Sequence, residues 1–179
     1  MADNGLTMRG GMRKRLENIL YTELANANVG VRTWKRNGSG MAYFELGVVD
    51  VPRPKSPYLL GVAIHEIGHI HCYRTIDKYN EMHPYMMEYM AEIYTMEKLK
   101  KYGLPTREYK ASAVKYVLSC LARYKNNGGD MNLVPADVRK WTGISIRLWK
   151  NAHRVLVDMD VDVHTMKEIA IYYKFDREN

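Results

Sequence analysis

The sequence predicts an α+β fold, mainly helical, on three observations. Apolar residues recur at three- and four-residue spacing through most of the chain. Strand candidates are confined to residues 29–51. Breakers at Lys35–Gly40, Val51–Pro57, Gly103–Pro105 and Asn126–Asp130 separate the periodic stretches. With 179 residues, 46% hydrophobic and 26% charged, the chain can bury a sizeable core, which excludes a disordered or collagen-like protein.

Met8 to Ala27 reads as an amphipathic helix striped by Met12, Leu16, Ile19, Leu20 and Leu24, and Gly30 ends it. Val29–Trp34 is a short strand and Met41–Val51 a longer one. The loop Lys35–Gly40 between them is rich in residues that tolerate positive φ, so the pair is expected to form a hairpin. Three prolines between 52 and 57 end the second strand, since they donate no ladder hydrogen bonds. Tyr58 to Ile76 is a helix with Ser56 as N-cap and Pro57 at its first position. Met82 to Tyr102 follows, striped by Met82, Met86, Tyr89, Met90, Ile93, Met96 and Leu99 and stopped by Gly103 and Pro105. Thr106 to Lys125 is the next helix, after which Asn126–Asp130 breaks the chain. This breaker divides it into 1–126 and a helical extension, 127–179, with helices expected at 135–141, 145–158 and 163–174.

Net charge is +7, and residues 105–154 hold ten basic against three acidic side chains. Such a block can attract nucleic acid, although charge runs are most often solvated helix faces. No apolar run approaches the roughly 20 residues of a membrane helix. The first residues show no apolar segment of a secretory signal, and two cysteines, Cys72 and Cys120, are too few to staple a fold. A cytoplasmic protein with no membrane partner is the expectation.

One stretch carries chemistry: His65-Glu66-Ile67-Gly68-His69. Residues four apart share a helix face, so both imidazoles can reach one ion, and Glu66 can reach a water on that ion without being a ligand. These are the ligands and the base of zinc-dependent peptide hydrolysis. A motif with three fixed residues also recurs by chance, on ordinary helices. Here the surrounding Leu59, Leu60, Val62, Ala63, Ile64, Ile67 and Ile70 make a buried helix, where two imidazoles and a carboxylate are costly without a partner. Glu88 and Glu92 share one face of the following helix. Either can supply a third ligand and the other can orient a ligand histidine, the alternative being solvent-facing pairs with Lys98 or Lys100. His71 falls on another side of the helix. His83, Tyr85 and Tyr79 are candidates to stabilise an oxyanion, while His153 and His164 read as surface residues.

The motif followed by Glu88-x-x-Ala91-Glu92 resembles the gluzincin group of zincin metallopeptidases. It looks most like the ImmA/IrrE type and less closely like SprT-like enzymes. The resemblance covers about Met41 to Gly103. It implies a zincin-like core, zinc held by His65, His69 and Glu88, Glu66 as general base, and a protein or peptide substrate lying extended along the 41–51 strand. Glu92 stands where that pattern more often has aspartate, and Lys101–Pro105 replaces the usual Leu-Met-Pro ending. Thr75 occupies the third-histidine position of a metzincin, which excludes that class, and Asp77 lies too close to His69 for an aspartate-type site.

Val138 to Trp149 offers a second reading. Its Thr-Gly-Ile-Ser turn between two short helices is frequent in DNA-binding helix-turn-helix units, and Arg147, Lys150 and Arg154 would lie on the second helix. Arg139 sits where such units hold a small residue. The alternative to a zinc hydrolase is therefore a nucleic-acid-binding or regulatory interaction protein with a structural or vestigial zinc site.

Overall fold

The computed structural model describes residues 4–143. The chain is α+β and mainly helical: α1 (Asn4–Asn26), β1 (Gly30–Lys35), β2 (Met41–Tyr43), β3 (Val48–Pro52), α2 (Pro57–Thr75), a 3-10 turn (Tyr79–Glu81), α3 (Pro84–Lys101), α4 (Arg107–Asn126), a 3-10 turn (Met131–Leu133) and α5 (Ala136–Thr142). Among the described residues, one compact unit takes 4–82 with 90–110 and another takes 83–89 with 111–143. Helix α3 belongs to both. No described helix is long and apolar enough to cross a membrane. The helices expected at 145–158 and 163–174, and most of the helix-turn-helix reading, lie outside the described residues.

The first unit is built on a three-stranded sheet in the order β1-β3-β2. The expected hairpin of 29–34 with 41–51 is not formed. Gly47, at φ +63°, donates its N–H to the Tyr43 carbonyl at 3.0 Å, and this turn splits the longer stretch in two. β2 then pairs antiparallel with β3, Met41 opposite Asp50 and Tyr43 opposite Val48. β1 pairs with β3 in parallel, with the register slipping between Val31 and Thr33. β3 is therefore central, with Val49 and Val51 fully buried. The bulged residue, Arg32, reaches Asp50 of β3 through two hydrogen bonds of 2.9 and 2.6 Å.

Helix α2 packs against β3, β2 and α1. Its start is as expected: Pro57 opens it and the Ser56 hydroxyl accepts from the Leu59 N–H at 3.2 Å. It then buries Leu60, Ala63, Ile64, Ile67 and Ile70, which meet the core formed with Leu16, Ile19, Leu20 and Leu24 of α1. Met12, expected in that stripe, is exposed. Gly68 admits α3 closely, since a Cβ there would lie 3.2 Å from the Ala91 carbonyl oxygen.

The second unit buries Ala113, Val114, Val117, Leu118 and Leu121 of α4, together with Val134 and Val138. Its aromatic residues cluster: His83 and Tyr85 pack on Tyr124 at 4.5 and 5.0 Å, and Tyr89 meets Trp141 edge-on at 5.6 Å.

Candidate metal centre

Helix α2 turns His65, Glu66 and His69 inward, each less than a tenth exposed. The one-turn offset brings His65 Nε2 and His69 Nε2 to 3.0 Å. Two nitrogens bound to a tetrahedral zinc at about 2.05 Å would stand about 3.3 Å apart, so the pair is close to the spacing a shared ion needs.

Each ring has a buried polar group near its other nitrogen. Glu92 Oε1 lies 3.2 Å from His65 Nδ1, and Glu92 is itself buried. The Tyr109 hydroxyl hydrogen-bonds to Glu92 in turn, and its ring lies over Gly61, where any Cβ would collide with it. Burial, and then the neighbouring Glu92 carboxylate, push the Tyr109 hydroxyl well above the ordinary phenol range, which keeps it a donor. The second histidine is held differently: His69 Nδ1 is 2.9 Å from the hydroxyl of Tyr79, a side chain only 1% exposed. Phe44, from the turn after β2, packs edge-on against Tyr79 at 6.2 Å.

Glu88 stands one turn before Glu92 on α3, half-buried. One ligand atom from each of His65, His69 and Glu88 lies within 4.8 Å of the others, so this group can hold a metal ion. Two imidazole nitrogens and a carboxylate oxygen, with the His69 ring oriented by the buried Tyr79 hydroxyl, are a donor set suited to zinc. Glu66 follows His65 directly, and its carboxylate rests against the backbone of Gly40. A Cβ on that residue would lie 2.5 Å from Glu66 Oε1.

The remaining candidates stand elsewhere. His71 packs beside Tyr94 at 4.9 Å and His83 is exposed beside Tyr124. Tyr85 is buried against Tyr124, and Asp77 is exposed. Tyr79, read from sequence as an oxyanion candidate, instead takes its place behind His69. Sequence reading missed Tyr109 and Gly40 as well. A hydroxyl-bearing aromatic just past the end of the motif helix was the available signal for Tyr79. Gly40 gave none, because the loop's composition explained a glycine there without reference to Glu66. Comparison with family models, with curated proteins and with solved structures gives no match for this chain, so the reading of the site rests on its own geometry.

Proposed function

We propose that the protein is a zinc-dependent metallopeptidase with a zincin-like core, cleaving peptide bonds of a protein or peptide substrate. The observation that carries this is the convergence of His65 Nε2 and His69 Nε2 at 3.0 Å, with Glu88 within ligand reach. His65, His69 and Glu88 would hold the metal, and Glu92 and Tyr79 would orient the two rings. Zinc, when bound, supplies Lewis acidity and brings the pKa of a bound water to about 7. Glu66 takes the proton of the attacking water and delivers it to the leaving amine. Its buried position against Gly40 limits the rotamers of its carboxylate and so keeps it aimed.

The resemblance implies a substrate lying along 41–51. β3 is paired on both sides, which leaves β2, Met41–Tyr43, as the short edge near Glu66 to which an extended peptide would add.

Glu66→Gln is the test. It is expected to retain zinc by metal analysis while cleavage of an unfolded protein such as casein falls by about 10²–10⁴, the usual contribution of a general base. A fully active Glu66→Gln protein would refute the assignment. His65→Ala should lose the metal.

A further inference from the structure

Parallel pairing of β1 with β3 brings the C-terminal ends of the two strands together, Lys35 beside Pro52. Arg36 follows one strand, and Arg53 and Lys55 follow the other, so four cations meet at one end of the sheet. Arg36, Arg53 and Lys55 are exposed, and Lys35 is half-buried. Among the described residues none of the four forms an ion pair. The acids of this segment stand apart from them. Glu45 is in the turn before β3, at the other end of that strand, and Asp50 is buried with Arg32. Pro52 and Pro54, both buried, fix the backbone that presents Arg53 and Lys55.

The same end carries aromatic rings. The Arg53 guanidinium lies over the Trp34 ring, 4.8 Å from its centroid. Tyr21 of α1 meets Trp34 edge-on with centroids 6.4 Å apart, and it is 54% exposed. Glu17, one turn before Tyr21, is bonded to Arg13 at 3.1 Å. An exposed tyrosine ring and a guanidinium held over a tryptophan are platforms on which a base can stack. An acidic peptide would use the cations alone. In a duplex the bases already stack on one another, so a single strand is the ligand that uses both features, phosphates on the cations and bases on the rings. From this juxtaposition we infer that Tyr21, Trp34 and Arg53, with Lys35, Arg36 and Lys55, form a binding surface for single-stranded nucleic acid. The inference does not rest on the metal reading, and the surface uses no residue of the basic segment 105–154.

Fluorescence anisotropy of a labelled oligothymidine with the full chain tests this. Raising salt fourfold should weaken wild-type binding about 50-fold, the effect of four single-strand phosphate contacts. Arg36→Gln, Arg53→Gln and Lys55→Gln together should cut that salt effect to about 3-fold and weaken binding at low salt. Tyr21→Ala should weaken binding about 5–150-fold, the contribution of one stacked base, at unchanged salt dependence. All four substituted positions are exposed, so both variants should keep the wild-type circular dichroism spectrum. A wild-type chain that does not bind the oligonucleotide would overturn the inference. So would unchanged affinity in either variant, which would place any binding elsewhere on the chain. Polyglutamate displacing the oligonucleotide as effectively as unlabelled oligothymidine would make this a surface for acidic protein instead, and would overturn it too.

Discussion

Glu66 keeps its place only while residue 40 has no side chain, because a Cβ there would overlap its carboxylate. Gly40→Ala is therefore expected to displace the base while leaving the histidine pair intact. Cleavage should fall toward the level of Glu66→Gln at unchanged zinc content, with a stability loss of about 1–3 kcal/mol from overpacking, read by urea titration. Asp50 tests a second residue-scale argument. The Arg32 guanidinium holds its carboxyl down to about 2 against the opposing effect of burial, and the Tyr43 hydroxyl assists. A carboxyl depressed on folding stabilises the fold above its unfolded pKa, near 3.8, and loses that contribution as pH falls toward about 2. Acid titration followed by circular dichroism should show this loss in wild type. Asp50→Asn should be less stable at neutral pH and lack that part of the slope.

At the scale of elements, the site depends on how closely α2 and α3 approach. A Cβ on Gly68 would lie 3.0 Å from Tyr94 Cδ1 and 3.2 Å from the Ala91 carbonyl oxygen, tight contacts in a packed core. Gly68→Ala should cost about 1–3 kcal/mol in thermal or urea unfolding. It should also weaken zinc uptake, because Glu92 is brought to His65 by the same approach. Helix α2 was legible in the sequence down to its cap: Ser56, Pro57 and the spacing of its histidines are local signals, and local signals survive folding. The sheet was not. A run of strand-forming residues does not reveal that Gly47 will turn it back on itself, and parallel pairing leaves no local signature. Helix α3 was legible in part. Of its expected stripe, Tyr89, Met96 and Leu99 are buried, while Met82, Met86, Met90 and Ile93 are only half-buried and Tyr85, Glu92 and Thr95 are buried as well. A helix that supports a polar site also puts polar groups inward, and apolar periodicity then outlines only part of its buried face. Both Glu88 and Glu92 were nonetheless recognisable as the pair to watch: Glu92 Oε1 lies 3.2 Å from His65 Nδ1, and Glu88 falls within the group that could hold a metal ion.

At the scale of the molecule, α1 is tied to α3 by charge as well as by its apolar stripe. Glu23 is fully buried, with Lys98 Nζ at 2.6 Å and the Tyr102 hydroxyl at 2.5 Å. Burial works against the carboxylate, but hydrogen bonds from Lys98 and Tyr102 prevail and hold its pKa below the ordinary value. Lys98→Met strands that charge and should cost about 3–5 kcal/mol in chemical unfolding, whereas Glu23→Leu combined with Lys98→Met should recover most of the loss. A pair that could be replaced by apolar residues with little penalty would serve specificity of packing more than stability. The strand order carries a consequence of another kind. Antiparallel neighbours can close from the turn that joins them, and only four residues, 44–47, separate β2 from β3. β1 has no such turn to its partner and must find β3 across the intervening chain. The later hairpin, β2 with β3, is therefore expected to close before β1 is added, which stopped-flow refolding of Val31→Ala against Val48→Ala would check through their effects on the folding rate.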